Sequence, residues 1–244
     1  MSQIRLDKYL ADAGIGTRSE IKSYIKKGVV SVNDITIKKP DIKIDSETDT
    51  VQFQNRIVQA SSYEYYILNK PAGYVSATKD NTAPTVLSLI KSSRKDLFPV
   101  GRLDKDTEGL LLITNDGTLS HRLLSPKRHV DKTYYAIIEG IISNEDISAF
   151  ENGLIIGDED LNIAMPAKLS VLKTEHFPKE LSYIEVTIHE GKFHQVKRMF
   201  KAVNKKVIYL QRISFGTLVL PKDLASGSYR ELTDTELASL KNCC

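Results

Sequence analysis

The sequence predicts an α+β protein in which a small helix–helix–hairpin module precedes a larger domain built on an antiparallel or mixed β-sheet. Apolar residues recur at helical spacing in the first 25 residues, whereas short strand-like runs between turn residues dominate from residue 63 onward. An acidic stretch at 45–50 and small polar residues at 59–62 separate the two patterns. We therefore place a boundary near residue 60 and predict domains at 1–60 and 61–244.

The first module is predicted to contain two short helices and a hairpin. Thr17 and Glu20 form a capping box that opens the second helix, and Gly28 ends it. Asn33-Asp34 supplies a tight turn between two short strands. The first helix is defined by apolar residues and ended by two glycines, in the order Leu6, Tyr9, Leu10, Ala13, Gly14 and Gly16. The predicted strands are 29–32, 35–37 and 51–58.

The larger domain alternates strands with fewer helices, which favours an α+β arrangement over a parallel α/β sheet. It contains no glycine-rich phosphate loop and no internal repeat. The predicted strands are 65–68, 110–113, 134–139, 182–188 and 206–210. The predicted helices are 86–92, 119–124, 144–152, 195–203 and 234–241.

Composition excludes several classes of protein. No apolar run approaches the roughly 18 residues of a membrane span, and no signal-peptide core follows the N-terminus, so we expect a cytoplasmic protein. The only cysteines, Cys243 and Cys244, are adjacent and offer neither a disulfide framework nor metal-ligand spacing. We therefore expect free thiols at this end of the chain.

Positive charge is concentrated near the N-terminus. Residues 1–43 contain nine basic and five acidic residues, a surplus of four against a net charge of +3 for the whole chain. The basic residues of the second helix are Arg18, Lys22, Lys26 and Lys27. Such a helix can follow a phosphate backbone without reading its sequence, although charge alone fits a solvated helix face equally well.

A charged loop at 101–109 leads directly into an apolar strand and is the main candidate site. It contains Arg102 and three carboxylates, Asp104, Asp106 and Glu108. The spacing superficially resembles a calcium loop, which requires a glutamate at its twelfth position and a following helix. Here the twelfth position is Asn115 and a strand has already begun, so we reject calcium.

Two further segments carry candidate groups. A basic turn at 192–198, where a strand ends and the helix 195–203 begins, contains His194, Lys197 and Arg198, which suits pairing with an acidic loop. Spacing alone leaves open whether this turn reaches Asp104. Tyr134 lies in a strand with tyrosines on both faces, and a tyrosine near a carboxylate can stack on a base or carry a proton.

The order of these motifs resembles two known groups of proteins. Residues 5–33, from Arg5-Leu6-Asp7 to Val32-Asn33, resemble the α-L RNA-binding motif of a ribosomal small-subunit protein. Gly101-Arg102-Leu103-Asp104-x-Asp106-Thr107-x-Gly109 resembles the RsuA family of pseudouridine synthases. Three other motifs, 68–73, 132–134 and 191–199, agree with that family, so the resemblance spans nearly the whole chain.

The resemblance implies an RNA isomerase that detaches uracil from its ribose and rejoins it through carbon 5 without a metal or organic cofactor. Asp104 matches the catalytic aspartate, which either attacks the uridine or removes a proton from the sugar. Tyr134 matches the tyrosine expected to stack on the base, and Lys197 matches its basic partner. Lysines at 192 and 197 depart from the arginines of many relatives and lack the bidentate fork.

We predict that Asp106 and Thr107 mainly shape the loop. We assign RNA contacts to a larger set of residues. The set is Arg102, Arg18, Lys22, Lys26, Lys27, Lys70, His194 and Arg198. The segment 68–71 is expected to buttress the site, with Lys70 touching phosphate. We expect a monomer.

The segment 125–134 is similar to the branch of the family that acts on small-subunit ribosomal RNA, so we expect one uridine of 16S rRNA as the target. Three alternatives remain: a large-subunit enzyme, a noncatalytic rRNA-binding assembly factor, and a small-molecule hydrolase. The hydrolase leaves the basic N-terminal module unexplained.

Overall fold

The computed structural model describes residues 3–46, 48–58, 63–92, 94–157 and 162–243. The predicted linker 59–62 and Cys244 lie outside these ranges. Two compact units are present, an N-terminal unit (Met1–Tyr63 with Ser92–Asp96) and a C-terminal unit (Glu64–Lys91 with Leu97–Cys244). Within the described ranges, no helix combines the length and apolar character needed to cross a membrane.

The N-terminal unit contains the two predicted helices and two small sheets. Its elements are β1 (Gln3–Arg5), α1 (Leu6–Asp12), α2 (Arg18–Lys26), β2 (Val30–Val32), β3 (Ile35–Thr36), β4 (Lys43–Asp45), β5 (Val51–Phe53) and β6 (Arg56–Ile57). β1 pairs with β4, and the other strands form a sheet in the order β3-β2-β5-β6. Leu6, Leu10, Ile21 and Ile25 are fully buried in one apolar cluster, as helical spacing predicts.

The local signals of this unit are confirmed except at one strand. Thr17 and Glu20 form the capping box in both directions. The predicted strand 51–58 is wrong, because β5 and β6 form a hairpin there. Gln54 and Asn55 have φ values of 50° and 62°, and two successive residues in the left-handed region reverse the chain.

The C-terminal unit is built on one large mixed sheet. Its strands are β7 (Tyr65–Lys70), β8 (Phe98–Pro99), β9 (Glu108–Thr114), β10 (Lys132–Glu139), β11 (Leu154–Ile155), β12 (Ile163–Ala164), β13 (Lys168–Glu175), β14 (Leu181–Ile188), β15 (Lys206–Phe215), β16 (Leu218–Val219) and β17 (Tyr229–Glu231). Its α-helices are α3 (Gly117–Leu124), α4 (Asn144–Asn152), α5 (Gln195–Ala202) and α6 (Asp234–Asn242).

The strand order β13-β14-β10-β15-β9-β7-β17 places the candidate loop at the centre of this sheet. All neighbours on that path are antiparallel except β9 and β15, which are parallel. Alternate residues of β9 enter different apolar clusters: Leu111 and Ile113 pack in one, and Leu110 and Leu112 in the other. Both faces of the central strands are therefore covered, which fixes the strand that follows the loop.

Two further expectations differ from the structure. The predicted helix 86–92 is a 3₁₀ turn over Val86–Leu89. The strand β13 is absent from the predicted strands, because it lies at the sheet edge and only Leu169 among its side chains is fully buried. A half-exposed edge strand lacks the alternation of apolar and polar residues by which strands are recognised.

Candidate active site

The acidic loop is anchored where it enters β9. Gly109 has a φ of +96°, and a Cβ atom at this position would lie 2.3 Å from the carbonyl oxygen of Arg212. Only glycine permits this approach of β9 to β15. The Arg212 guanidinium group is buried and donates from Nε to the carbonyl oxygen of Leu110 at 2.8 Å. The parallel junction thus holds the end of the loop.

The segment after β7 holds the other end. The Ser76 hydroxyl group donates to the Leu103 carbonyl oxygen at 2.9 Å and accepts from the Leu103 N–H at 3.0 Å. The Gly73 N–H donates to the Lys105 carbonyl oxygen at 2.7 Å. These bonds confine the backbone on both sides of Asp104, so its carboxylate is presented by a rigid loop.

Lys70 stabilises the backbone of the loop through hydrogen bonds to its carbonyl oxygens. Its side chain is fully buried, and its ammonium group donates to the carbonyl oxygens of Pro71 (3.0 Å), Lys105 (3.3 Å) and Thr107 (2.6 Å). Burial lowers the pKa of Lys70 to about 8, against the opposing effect of the nearby carboxylates. A buried cation with three carbonyl partners cannot reach a phosphate group, so the predicted RNA contact of Lys70 is replaced by a supporting role.

Asp104 meets two groups from the basic turn, which lie 90 and 93 residues away in the sequence. Lys197 Nζ lies 3.1 Å from Asp104 Oδ2, and His194 Nε2 lies 3.5 Å from Asp104 Oδ1. The Asp104 side chain retains 26% of its exposure, so a substrate has access to it. The structure thus brings together the loop and the turn, which spacing alone left open.

Lys197 also pairs with Asp106, at 2.6 Å from Nζ to Oδ1. Burial by itself lowers the pKa of Lys197, but hydrogen bonds to Asp106 and Asp104 outweigh burial and leave it above its ordinary value. Burial likewise opposes the ionisation of Asp106, yet the hydrogen bond from Lys197 prevails and lowers the pKa of Asp106. The shared ammonium group therefore stays charged between two carboxylates.

A polar network orients the basic turn. Gln195 is buried, donates from Nε2 to Glu190 Oε1 at 2.8 Å and accepts from the Lys192 N–H at 2.9 Å. Lys192 pairs with Glu190 at 3.3 Å and also donates to the carbonyl oxygen of Ile163. Nothing in the spacing of Glu190 and Gln195 distinguishes them from ordinary surface residues, and only the contacts identify this role.

An open cleft lies over Asp104. Tyr134 is buried in β10 and contributes to the lining of this cleft. The lining residues include Arg102, Leu103, Asp104, Tyr134, His194 and Lys197. Arg102 is exposed at the surface of the cleft, so it is available to a ligand. The arrangement offers a carboxylate, a cation and an aromatic group around one opening.

Glu108 and Arg198, which also carry charge near the cleft, make hydrogen bonds to groups other than Asp104. Glu108 points to Tyr209, whose hydroxyl group donates to it at 2.9 Å, and burial with this bond raises the pKa of Tyr209 to about 12. Arg198 donates from Nη1 to the carbonyl oxygen of Phe193 at 3.2 Å. Among the residues that the structure describes, no group of three His, Cys, Asp or Glu side chains is arranged to hold a metal ion.

The four basic residues of α2 belong to the N-terminal unit. Arg18, Lys22, Lys26 and Lys27 are all exposed there. Their charges are therefore available for contact with a polyanion, and the contact itself stays a prediction.

Comparison with known proteins adds an independent line of information. Residues 64–202 match the RNA pseudouridylate synthase family, and residues 4–51 match the S4 domain. An uncharacterized RNA pseudouridine synthase of Bacillus subtilis is 45% identical over 96% of this chain and 97% of its own length. Ribosomal small subunit pseudouridine synthase A of Vibrio cholerae is 40% identical, covering 97% and 99% of the two chains.

Two further similarities complete the comparison. Ribosomal large subunit pseudouridine synthase B of Bacillus subtilis is 36% identical, covering 97% of this chain and 95% of its own. A crystal structure of a pseudouridylate synthase superposes with a TM-score of 0.69 at 35% identity, covering 97% and 99% of the two chains. Sequence and fold thus agree over nearly the whole chain.

Proposed function

The chain belongs to the RNA pseudouridylate synthase family, in its RsuA group with an N-terminal S4 domain, and we propose that it isomerises one uridine of small-subunit 16S rRNA with Asp104 as the catalytic carboxylate. The observation that carries the proposal is the contact of Asp104 with Lys197 and His194 over an open cleft. A fixed and accessible carboxylate beside a cation suits chemistry on an anionic nucleotide.

In the proposed reaction, the bond from ribose C1′ to N1 of uracil breaks, the base turns, and C1′ bonds to C5. The proton on C5 leaves and N1, freed from C1′, takes up a proton, so the product is an isomer of the substrate. Asp104 acts at the sugar, either as a nucleophile at C1′ or as a base that removes the C2′ proton. Both routes use a carboxylate oxygen that faces the cleft, and neither uses a cofactor.

The other groups act around this carboxylate. Lys197 offsets the negative charge of Asp104 and Asp106, so that a nucleotide with its phosphate groups can approach. Tyr134 stacks on the detached uracil and carries the C5 proton. Arg102, exposed at the surface of the cleft, offsets part of the few kcal/mol that flipping a nucleotide out of its stack costs.

The choice of 16S rRNA rests on two supports. The segment 125–134 is similar to the small-subunit branch, and relatives named small subunit pseudouridine synthase A reach 40% and 37% identity. A large-subunit target is the second candidate, because a relative named large subunit pseudouridine synthase B reaches 36% identity. The N-terminal module, which we propose at residues 1–60, holds the rRNA through α2.

Tritium release tests the reaction. Purified protein should release tritium from 16S rRNA transcribed with [5-³H]uridine, and Asp104→Asn should reduce the rate by at least about 10³-fold, because the nucleophile or base is removed. Asp106→Asn is the matched control, since it removes a carboxylate of the same loop whose side chain is 73% exposed. It should keep the rate within about tenfold.

If neither the wild type nor Asp104→Asn releases tritium, the result supports a noncatalytic assembly factor instead. Pseudouridine mapping in 16S and 23S rRNA from cells with and without the gene identifies the target. Loss of a single 16S pseudouridine is the expected result, and loss of a 23S pseudouridine would assign the enzyme to the large subunit.

A further inference from the structure

Phe193 is an exposed aromatic residue beside the active-site cleft. It lies between Lys192 and His194, which both line the cleft, yet 76% of Phe193 is exposed. Isolated exposed apolar residues are common on protein surfaces, so exposure alone carries no conclusion. The position of Phe193 next to His194, which contacts Asp104, makes its exposure informative.

The Phe193 ring packs against the side chain that follows it. It stacks on the imidazole ring of His194, with 3.8 Å between ring centroids and an interplanar angle of 20°. The Phe193 carbonyl oxygen accepts a hydrogen bond from Arg198 at 3.2 Å. His194 has a φ of 48°, a left-handed conformation that is uncommon for residues other than glycine. One face of the ring therefore lies against His194, and most of the rest of the side chain is open to a partner.

The charge around Phe193 selects the kind of partner. Lys192, Lys197 and Arg198 lie within five residues of it, and Arg102 is exposed at the same cleft. An apolar ring among cations suits a ligand that combines flat aromatic rings with negative charge. Single-stranded RNA has this combination, and aromatic side chains commonly stack on its unpaired bases.

We propose that Phe193, backed by His194, stacks on an unpaired base next to the target uridine. The inference rests on the proposed function and adds a residue that positions the substrate. When the uridine flips into the cleft, its neighbour loses a stacking partner, and the Phe193 ring takes that place. Phe193 lies outside the set of residues that line the cleft around Asp104, so it contacts the neighbouring base and leaves the target base to Tyr134.

Kinetics with four variants test this contact on 16S rRNA transcribed with [5-³H]uridine. Phe193→Ala should raise KM by about 5- to 150-fold, the range for loss of one stacked base, and change kcat by less than about threefold. Phe193→Tyr should restore the wild-type KM, whereas Phe193→Leu, which is apolar but lacks a π face, should not. Phe177→Ala removes a 91% exposed aromatic residue elsewhere in the C-terminal unit and should match the wild type.

A second measurement locates the contact. p-Benzoylphenylalanine incorporated at position 193 should crosslink to a nucleotide within two positions of the mapped pseudouridine. A wild-type KM for Phe193→Ala, rescue by leucine as complete as by tyrosine, or crosslinks confined to distant nucleotides would each overturn the inference. So would a change of oligomeric state in Phe193→Ala without any change in RNA binding.

Equilibrium binding of the same transcript separates this inference from the proposed function. If the wild-type protein releases no tritium while Phe193→Ala weakens binding at least fivefold, the proposed function fails and stacking on RNA stands. If the wild-type protein is active while Phe193→Ala binds and reacts like it, the stacking contact fails and the proposed function stands.

Discussion

Lys197 is the residue that links the two charged segments of the site. Its ammonium group lies between Asp104 and Asp106, and the side chain keeps only 27% of its exposure. Coulomb attraction at such distances is larger in a partly buried site than in water. Asp106, which the sequence suggested mainly shapes the loop, is thereby also a direct partner of Lys197.

Replacing Lys197 tests the value of this shared charge. Lys197→Met should lower kcat for tritium release by about 10- to 100-fold, because two adjacent carboxylates then repel each other and the incoming phosphate groups. Lys197→Arg keeps the charge and should retain at least about a third of the wild-type kcat. Steady-state rates on 16S rRNA measure both variants.

The same rates can contradict the assignment. A Lys197→Met enzyme within twofold of the wild type would show that neither carboxylate needs the ammonium group.

At the level of secondary-structure elements, two features of the large sheet stand out: the parallel contact of β9 with β15, and the packing of the edge strand β17 with α6. Gly109 allows the parallel contact in the centre. At one end, β17 pairs with β7, and α6 follows it with Leu240 buried in the apolar cluster. Arg230 in β17 binds Glu236 in α6 through two hydrogen bonds of 2.8 and 2.7 Å. This pair joins the last strand to the last helix.

Glu236→Gln should lower the free energy of unfolding by about 1–2 kcal/mol at pH 7, since it weakens a bidentate ion pair and a capping box that are both partly exposed. The hydrogen bond from Arg230 lowers the pKa of Glu236 to about 2. A lowered folded-state pKa contributes stability that is present above the unfolded value of 4.5 and lost as pH falls toward 2.

Urea unfolding at pH 7, 4.5 and 3 measures the effect. The difference between the wild type and Glu236→Gln should shrink steadily as the pH is lowered. Glu151→Gln, at an exposed position in α4, is the control and should change stability by less than about 0.5 kcal/mol at every pH. A difference that does not depend on pH would contradict the role of the ion pair.

Across the whole molecule, the predicted functions fall in different units, the reaction in the C-terminal unit and RNA binding through α2 in the N-terminal unit. The C-terminal unit contains the cleft, and the N-terminal unit carries the S4 domain with four exposed basic residues around α2. Binding through phosphate contacts depends on salt, because each contact releases counterions. The salt dependence of affinity therefore reports how much α2 contributes to RNA binding.

Changing Arg18, Lys22, Lys26 and Lys27 to Gln should weaken 16S rRNA binding. It should also reduce the slope of log Kd against log salt concentration. Each phosphate group that the protein no longer neutralises lowers the slope by roughly 0.7, so four lost contacts lower it by up to about 3. The measurement is equilibrium binding between 50 and 300 mM KCl, a range of about sixfold that resolves such a slope change.

The matched control removes the same charge from the C-terminal unit, through Gln at four exposed lysines: Lys168, Lys179, Lys206 and Lys222. It should leave the slope within about 1 of the wild-type value. Equal slopes for the wild type and the α2 variant would show that α2 is not the RNA anchor.

The family and the α+β class follow from the amino-acid sequence without coordinates, and the catalytic role of Asp104 stays a prediction. The family follows from motif resemblance, whereas capping boxes, turn residues and buried strands such as Leu110–Ile113 are encoded by neighbouring residues. Prediction failed where the outcome depended on distant partners. The burial of Lys70 is an example. The edge strand β13 and the hairpin within 51–58 were missed for local reasons, because the first lacks clear alternation and the second contains the turn Gln54-Asn55.

Which charged groups meet is determined by the folded chain. Sequence spacing carries no information about the contact between the loop at Asp104 and the turn at His194 and Lys197, because the sheet brings them together across ninety residues. The same holds for Lys70, whose three carbonyl partners exist only in the folded loop. The candidate carboxylate can be named from one residue and its sequence neighbours, whereas the groups that surround it are determined by the fold.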